Sequence, residues 1–158
     1  MALQPQGKGG NLEQFQKDFL SAHNAYRKLH GSPPLQLSRE LCTSAQKWAE
    51  HLVSLGIPKH SDTENGENIY YKSISKGEIP GGLPVDKWYS EIKNYNFSQP
   101  GSGDNIGHFT QVVWKDSKEL GVGLGTDSKG HFYVVGQYNP GGNEDGGYEK
   151  NVLPSGTA

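Results

Sequence analysis

A chain of 158 residues with 32 % hydrophobic residues, 22 glycines and 9 prolines has the size of one domain with a modest core and long loops, which excludes a plain helical bundle. Fifteen basic residues against seventeen acidic ones give a net charge of −2, and no Lys/Arg run exists, so nucleic acid is not an expected partner. The single cysteine, Cys42, allows no intramolecular disulfide and points to a reducing compartment, and no apolar run approaches the roughly 18 residues that a membrane span needs.

Residues 1–10 are polar and glycine-rich and read as a flexible tail, followed by one domain over residues 11–158. They lack the basic and apolar regions of a signal peptide, and Ala2 stands where N-myristoylation needs glycine. Asn11 suits a helix N-cap, with Gln14 at the capping-box position. Leu12, Phe15, Phe19, Ala22, Tyr26 and Leu29 then step by three and four as the apolar stripe of a first helix, which Gly31 and Pro33-Pro34 stop. Ser38 can cap a second helix with the stripe Leu41, Ala45, Trp48, Leu52 and Leu55, ended by Gly56 and Pro58. A polar loop over residues 59–68 holds His60 and Glu67, and residues 69–71 suit a short strand. Pro84 fits the first turn of a third helix, which carries Val85, Trp88, Tyr89 and Ile92 on its apolar side and Glu91 as a polar residue.

Three strands are expected after the glycine-rich run 101–107: residues 109–114, 120–124 and 131–138, the last two joined by the turn Asp127-Ser128-Lys129-Gly130. Helices first and an antiparallel meander last, without βαβ alternation, argue an α+β fold. Residues 139–158 are rich in Gly and Pro and are expected to wrap the surface. His108 opens the first of those strands beside a flexible run, where a side chain can reach a cleft, and His60, Glu67 and Glu91 are its candidate companions.

Other residues have plainer readings. Cys42 lies beside the second helix's stripe as an inert packed thiol. His23 and His30 on the first helix, and His51 and His131 elsewhere, read as solvent-facing or capping residues. The spacing Gly121-Val122-Gly123-Leu124-Gly125 is not a dinucleotide fingerprint, and its glycines permit close packing in the sheet. Tyr95 and Phe97 suit packing at a helix end.

Gly107-His108-Phe109-Thr110-Gln111-Val112-Val113-Trp114 resembles the first signature of the CAP superfamily (cysteine-rich secretory proteins, antigen 5, pathogenesis-related 1 proteins). Val134-Val135-Gly136-Gln137-Tyr138-Asn139-Pro140-Gly141-Gly142-Asn143 resembles the second, with Gly136 where secreted members usually carry cysteine. His23-Asn24-Ala25-Tyr26-Arg27, Pro33-Pro34-Leu35, His60-Ser61, Gly66-Glu67-Asn68 and Trp88-Tyr89-Ser90-Glu91 follow family positions in order. The missing disulfide cysteines and the run from Trp88 to Phe97 resemble the intracellular branch, the Golgi-associated plant pathogenesis-related proteins, which are peripheral membrane proteins of the cytosolic face.

The resemblance implies a three-layer α-β-α sandwich with a central antiparallel sheet and a large cleft, and it places the family's cleft tetrad at His60, Glu67, Glu91 and His108. Two imidazoles can hold Zn²⁺ at ~2.0–2.1 Å through one nitrogen each, with carboxylates accepting from the other nitrogens. On that view His60 and His108 are the metal ligands of a weak divalent site. The same four residues also suit a hydrogen-bonded network that ties the cleft together without metal. The helical pattern H-E-x-x-H is absent, so the sequence carries no specific hydrolase signal.

Three functions are therefore compared. The first is a non-enzymatic protein that associates with anionic membranes, binds lipid and weakly binds a divalent metal. The second is a metal-dependent hydrolase with Glu67 or Glu91 as general base. The third is a protein-interaction scaffold, and a homodimer across the cleft is compatible with each. Lys72, Lys76, Lys87 and Lys93 could meet anionic lipid at ~1 kcal/mol each, blunted by Glu78, Asp86 and Glu91. Sterol binding in some family members is attributed to an aromatic-bearing loop, whereas residues 98–106 carry no aromatic, which argues against sterol capture here.

Overall fold

The computed structural model describes residues 8–75, 77–127 and 129–156. In chain order it contains α1 (Lys8–Leu29), β1 (Gln36–Leu37), α2 (Arg39–Leu55), β2 (Gly66–Ser73), α3 (Gly82–Tyr89), a 3₁₀ turn (Ser90–Asn94), α4 (Gly107–Val113), β3 (Glu119–Thr126), β4 (His131–Asn139) and α5 (Tyr148–Asn151). The sheet order is β1-β3-β4-β2, with β3 and β2 antiparallel to β4 and a two-residue parallel pairing of β1 to β3 at the edge.

The sheet lies between two helical layers because strand residues alternate faces. Along β4, Phe132, Val134 and Tyr138 join Phe15, Phe19, Trp88, Phe109 and Val112 in the larger core, which is covered by α1, α3 and α4. Tyr133 and Val135 face the other way, onto Ala45, Ala49 and Leu52 of α2. This is the expected α-β-α sandwich.

Helix α2 begins and ends where its caps predict. The Ser38 side chain accepts from the Leu41 N–H, and Gly56 adopts a left-handed φ of 76° while its N–H donates to the Leu52 carbonyl. The side of α2 that faces β3 also guards the sheet. The Gln46 amide accepts from the Leu124 N–H and donates to the Leu124 carbonyl, at 2.8 and 2.9 Å, as a neighbouring strand would. Cys42 accepts weakly from the Val122 N–H at 3.5 Å, and burial raises its pKa, as befits an inert thiol.

Several expectations need correction. α1 starts at Lys8, so residues 8–10 are helical, Asn11 is not the cap, and only residues 1–7 of the expected tail lie outside the described residues. β2 runs over eight residues and takes Glu67 out of the loop, and Glu91 lies on the 3₁₀ turn instead of on α3 itself. The segment expected as a strand at 109–114 is instead α4. Phe109, Thr110, Gln111, Val112 and Val113 are all buried, so the segment has no exposed side and shows no alternation. Its ends are closed by residues far away in sequence: Glu91 accepts from the His108 and Phe109 N–H groups, while Arg27 and Ser32 donate to the carbonyls of Val112, Val113 and Trp114.

The buried side of α1 is also rotated from the expected one. Phe15, Phe19, His23, Arg27 and His30 are buried, while Leu29 is 49 % exposed. His23 and His30 are therefore core residues and not surface ones. The His23 Nδ1–H donates to the Phe19 carbonyl, and its Nε2 accepts from the Tyr138 hydroxyl at 2.6 Å. The His30 Nδ1–H donates to the Leu153 carbonyl, and its Nε2 accepts from the Tyr89 hydroxyl.

Burial pushes the His23 pKa down to about 3, with Arg27 acting in the same direction and the bond to Phe19 opposing. Burial lowers His30 as well. In the unfolded chain a histidine titrates near ~6.5, so between that pH and about 3 the unfolded state binds the extra proton and folding weakens as pH falls. The contribution is complete above pH ~6.5 and falls by up to ~1.4 kcal/mol per pH unit below it. Urea unfolding at pH 7 and pH 5 should differ by about 2 kcal/mol from His23 alone. His23→Gln should flatten that slope, and a slope identical to the parent's would show that His23 stays protonated in the fold.

Candidate functional site

The four tetrad residues form two His–Glu pairs. The His60 Nδ1–H donates to Glu67 at 2.9 Å, and the His108 Nδ1–H donates to Glu91 at 2.8 Å. In both pairs the carboxylate is the inner partner: the side chains of Glu67 and Glu91 are 4 % and 18 % exposed, those of His60 and His108 63 % and 40 %. Because a carboxylate can only accept, Nδ1 carries a proton in both rings, and in the neutral form of each ring Nε2 has the lone pair.

Each carboxylate is held by several donors. Glu67 also accepts from the Ser61 N–H, the Ser61 hydroxyl and the Gln137 amide at 2.6–2.9 Å. Burial alone would raise its pKa, but the bonds from Ser61, Gln137 and His60 together outweigh that and lower it. Glu91 accepts from the His108 N–H at 2.8 Å and the Phe109 N–H at 3.1 Å, and so binds the positive end of α4 as well as the imidazole. Trp88 lies parallel to the His108 ring, with centroids 6.2 Å apart and planes 9° apart.

The two pairs are joined through β2. Glu67 holds His60, and the next residue, the buried Asn68, donates to the His108 carbonyl at 3.2 Å and to the Tyr138 hydroxyl at 3.3 Å. Tyr138 in turn donates to His23. Ser61, Asn68, Trp88 and Gln137 are thus parts of the site that received no role in the sequence. All four stand inside the family-like segments, which is where a signal for them existed. His131 belongs to the β3–β4 turn, where it donates to Asp127, and His51 packs beside Trp48. Tyr95 and Phe97 pack on Phe109.

Among the described residues no group of three or more His, Cys, Asp and Glu side chains is placed to hold a metal ion. The donor set that remains is the pair of Nε2 atoms, each backed by a carboxylate on Nδ1. The carboxylates act on the two rings as orienting groups, each fixing its imidazole through Nδ1. A hollow of about 400 Å³, bounded by Trp48, Lys47, Ser61 and Gln137, adjoins the Glu67 end. Another cavity, of about 560 Å³, lies between α1 and α2.

Residues 20–138 match the CAP family, cysteine-rich secretory proteins. The human Golgi-associated plant pathogenesis-related protein 1 is 46 % identical over 148 residues, covering 90 % of this chain and 94 % of that protein. Pathogenesis-related protein 1 of Arabidopsis thaliana is 33 % identical over 128 residues, covering 81 % of this chain and 78 % of that protein. Among solved structures, that of BmVAL-1 superposes with a TM-score of 0.73 at 23 % identity over 90 % of this chain and 84 % of its own. The crystal structure of NaASP2 with Zn²⁺ gives 0.71 at 24 % identity, over 90 % of this chain and 87 % of its own.

Proposed function

The chain belongs to the cysteine-rich secretory protein family, CAP, and is related to its Golgi-associated pathogenesis-related proteins; from that premise we propose that it is a non-enzymatic protein that associates peripherally with anionic membranes, binds lipid, and takes up a divalent cation weakly in its His/Glu cleft. The observation that carries this reading is the state of the two carboxylates. Glu67 accepts four hydrogen bonds and Glu91 three. A general base needs a free lone pair and a pKa near the working pH. Glu67 has neither, and Glu91 is committed to the end of α4. This disfavours the hydrolase.

His60 and His108 are the residues that would hold the cation, through Nε2. A cation bound there would supply a Lewis-acid centre with open positions for lipid phosphate or water. With two protein ligands the affinity is low, and the carboxylates set the ring orientation. Support for a peripheral mode comes from the end of α2, where Leu55 and Ile57 are 44 % and 56 % exposed beside Lys59, and from the absence, among the described residues, of a helix long and apolar enough to cross a membrane. The name of the human relative supports placement at the Golgi.

Co-flotation with liposomes tests the proposal. Binding should rise with the anionic lipid fraction and fall with salt. Zn²⁺ titration by calorimetry should show weak uptake that the double variant His60→Ala, His108→Ala abolishes. Glu67→Gln should weaken that uptake by about 10–100-fold. Absence of flotation at every lipid composition would leave the interaction-scaffold reading in its place.

A further inference from the structure

The hollow of about 400 Å³ bounded by α2, Ser61 and the end of β4 is in the range of small-molecule sites, and the two imidazoles are not among its lining residues. Gln137 lines it and is only 1 % exposed. The Gln137 Nε2 donates to Glu67 at 2.9 Å. A carboxylate can only accept, so the amide cannot turn over without setting oxygen against oxygen. Its Oε1 is therefore fixed as the outward atom of that pair, and it is the one buried side-chain atom without a hydrogen-bond partner among the described residues. A buried acceptor of this kind is costly until a donor reaches it.

The wall facing Gln137 is one side of α2. Glu40, Thr43, Ser44, Lys47 and Trp48 follow one another at helical spacing and all line the hollow. The first four are exposed, and their side chains enter no hydrogen bond or ion pair among the described residues. Trp48 is half-buried, and its indole N–H is anchored on the Lys59 carbonyl at 2.7 Å, so the ring is held in place as a flat apolar surface. The Ser61 hydroxyl donates to Glu67 and keeps its acceptor capacity. The site thus combines one aromatic ring, one buried acceptor in need of a donor, and two hydroxyls that can donate or accept. A pyranose sugar carries the complement: an apolar C–H face, and a rim of hydroxyls that each donate and accept.

We propose that this hollow binds a neutral pyranose, with the ring's C–H face on Trp48, one hydroxyl donating to the Gln137 Oε1 directly or across one water, and others bonded to Thr43 and Ser44. The aromatic contact supplies area, and the hydroxyls supply the selection over apolar rings of the same size. The hollow is open and a single sugar is small, so the dissociation constant is on the order of millimolar. The site is distinct from the cation and lipid binding proposed for the cleft, and it stands or falls independently of them.

NMR titration of the full chain with the methyl glycosides of glucose, galactose and mannose tests this, read at the Trp48 indole N–H and the Gln137 side-chain amide. The expected result is saturable movement of both signals with at least one glycoside. Cyclohexanol, a ring of the same size with one hydroxyl, should bind about tenfold more weakly. The double variant Thr43→Val, Ser44→Ala changes only exposed helix positions, so the fold is retained, and it should weaken the sugar by about tenfold while leaving cyclohexanol unchanged. Trp48→Phe should weaken both. Four outcomes would overturn the proposal: no saturable shift with any glycoside, cyclohexanol as tight as the sugars, a Gln137 amide that does not move, or sugar affinity unaltered in the double variant. Tighter binding of proline, a zwitterion of similar size, would overturn it too and assign the hollow to amino acids.

Discussion

Replacing Arg27 by lysine should lower the stability of the fold by about 3–5 kcal/mol, a large part of the ~5–15 kcal/mol that holds a typical domain together. Arg27 is fully buried, and its four described hydrogen bonds all go to backbone carbonyls: Nε to Pro33 at 2.8 Å, Nη1 to Val112 at 3.1 Å and Trp114 at 2.8 Å, and Nη2 to Ser117 at 3.0 Å. Burial lowers its pKa to about 10, still far enough above neutrality to keep the charge. The compensation for that charge comes from peptide dipoles, including the carbonyls at the C-terminal end of α4. One planar guanidinium can reach carbonyls that diverge from it; an ammonium is a compact point with three donors and cannot span the set. Each carbonyl left unpaired costs ~1–3 kcal/mol. Urea unfolding should show a lower midpoint with an unchanged slope, because the surface exposed on unfolding is the same. A loss below about 1 kcal/mol would mean that lysine or water replaces the network, and that the clamp on α4 is not what orders it.

That clamp explains the main disagreement between pattern and structure. A run of apolar and β-branched residues at 109–114 reads as a strand on local preference. Five successive residues of this short helix, Phe109 to Val113, are buried, so they show no 3.6 period to argue otherwise. What makes it helical lies elsewhere in the chain: Glu91 at one end and Arg27 with Ser32 at the other. α2 is the opposite case. Its Ser38 cap and its Gly56 stop are local and were legible, as was its stripe at Leu41, Ala45 and Leu52, although Ala49 is buried with them and Leu55 is 44 % exposed.

For the four candidate residues the sequence suggested how imidazole and carboxylate would pair, and the structure extends those pairs further than the sequence did. The pairing of His60 with Glu67 and of His108 with Glu91 agrees with an imidazole backed by a carboxylate. The extension into the core through Asn68, Tyr138 and His23 was not legible, because polar residues on a helix stripe read as surface. The spacing Phe15, Phe19, His23, Arg27 nevertheless continues one helical face in steps of four. His23 and Arg27 are tolerated there because partners 85 to 115 residues away satisfy them. Sequence periodicity therefore located the face, and hydropathy alone misjudged where it went.

Gly123→Ala should destabilise the protein by about 3 kcal/mol, at the upper end of what overpacking usually costs, and Gly123→Val should prevent folding. On the α2 side of β3, a Cβ at Gly121 would meet the Leu41 backbone at 2.2 Å, one at Gly123 the Ala45 carbonyl oxygen at 2.3 Å, and one at Gly125 the Ala49 carbonyl oxygen at 2.4 Å. Positions advance by two along the strand and by four along the helix. Two strand residues span about 6.6 Å and four helix residues about 6.0 Å, so the two repeats stay in register over three contacts. The obstruction is backbone in every case, which a rotamer change cannot relieve. α2 would have to lift from the sheet, which would strain both its Gln46 bonds to Leu124 and the packing of Ala45, Ala49 and Leu52 on β4. Gly82→Ala serves as the control, since a Cβ there meets only the Ala22 side chain at an ordinary 3.8 Å. Thermal and urea midpoints for the two alanine variants decide the matter. If Gly123→Ala unfolds at the same midpoint as Gly82→Ala, the helix is free to move away, and close approach is not what requires the three glycines.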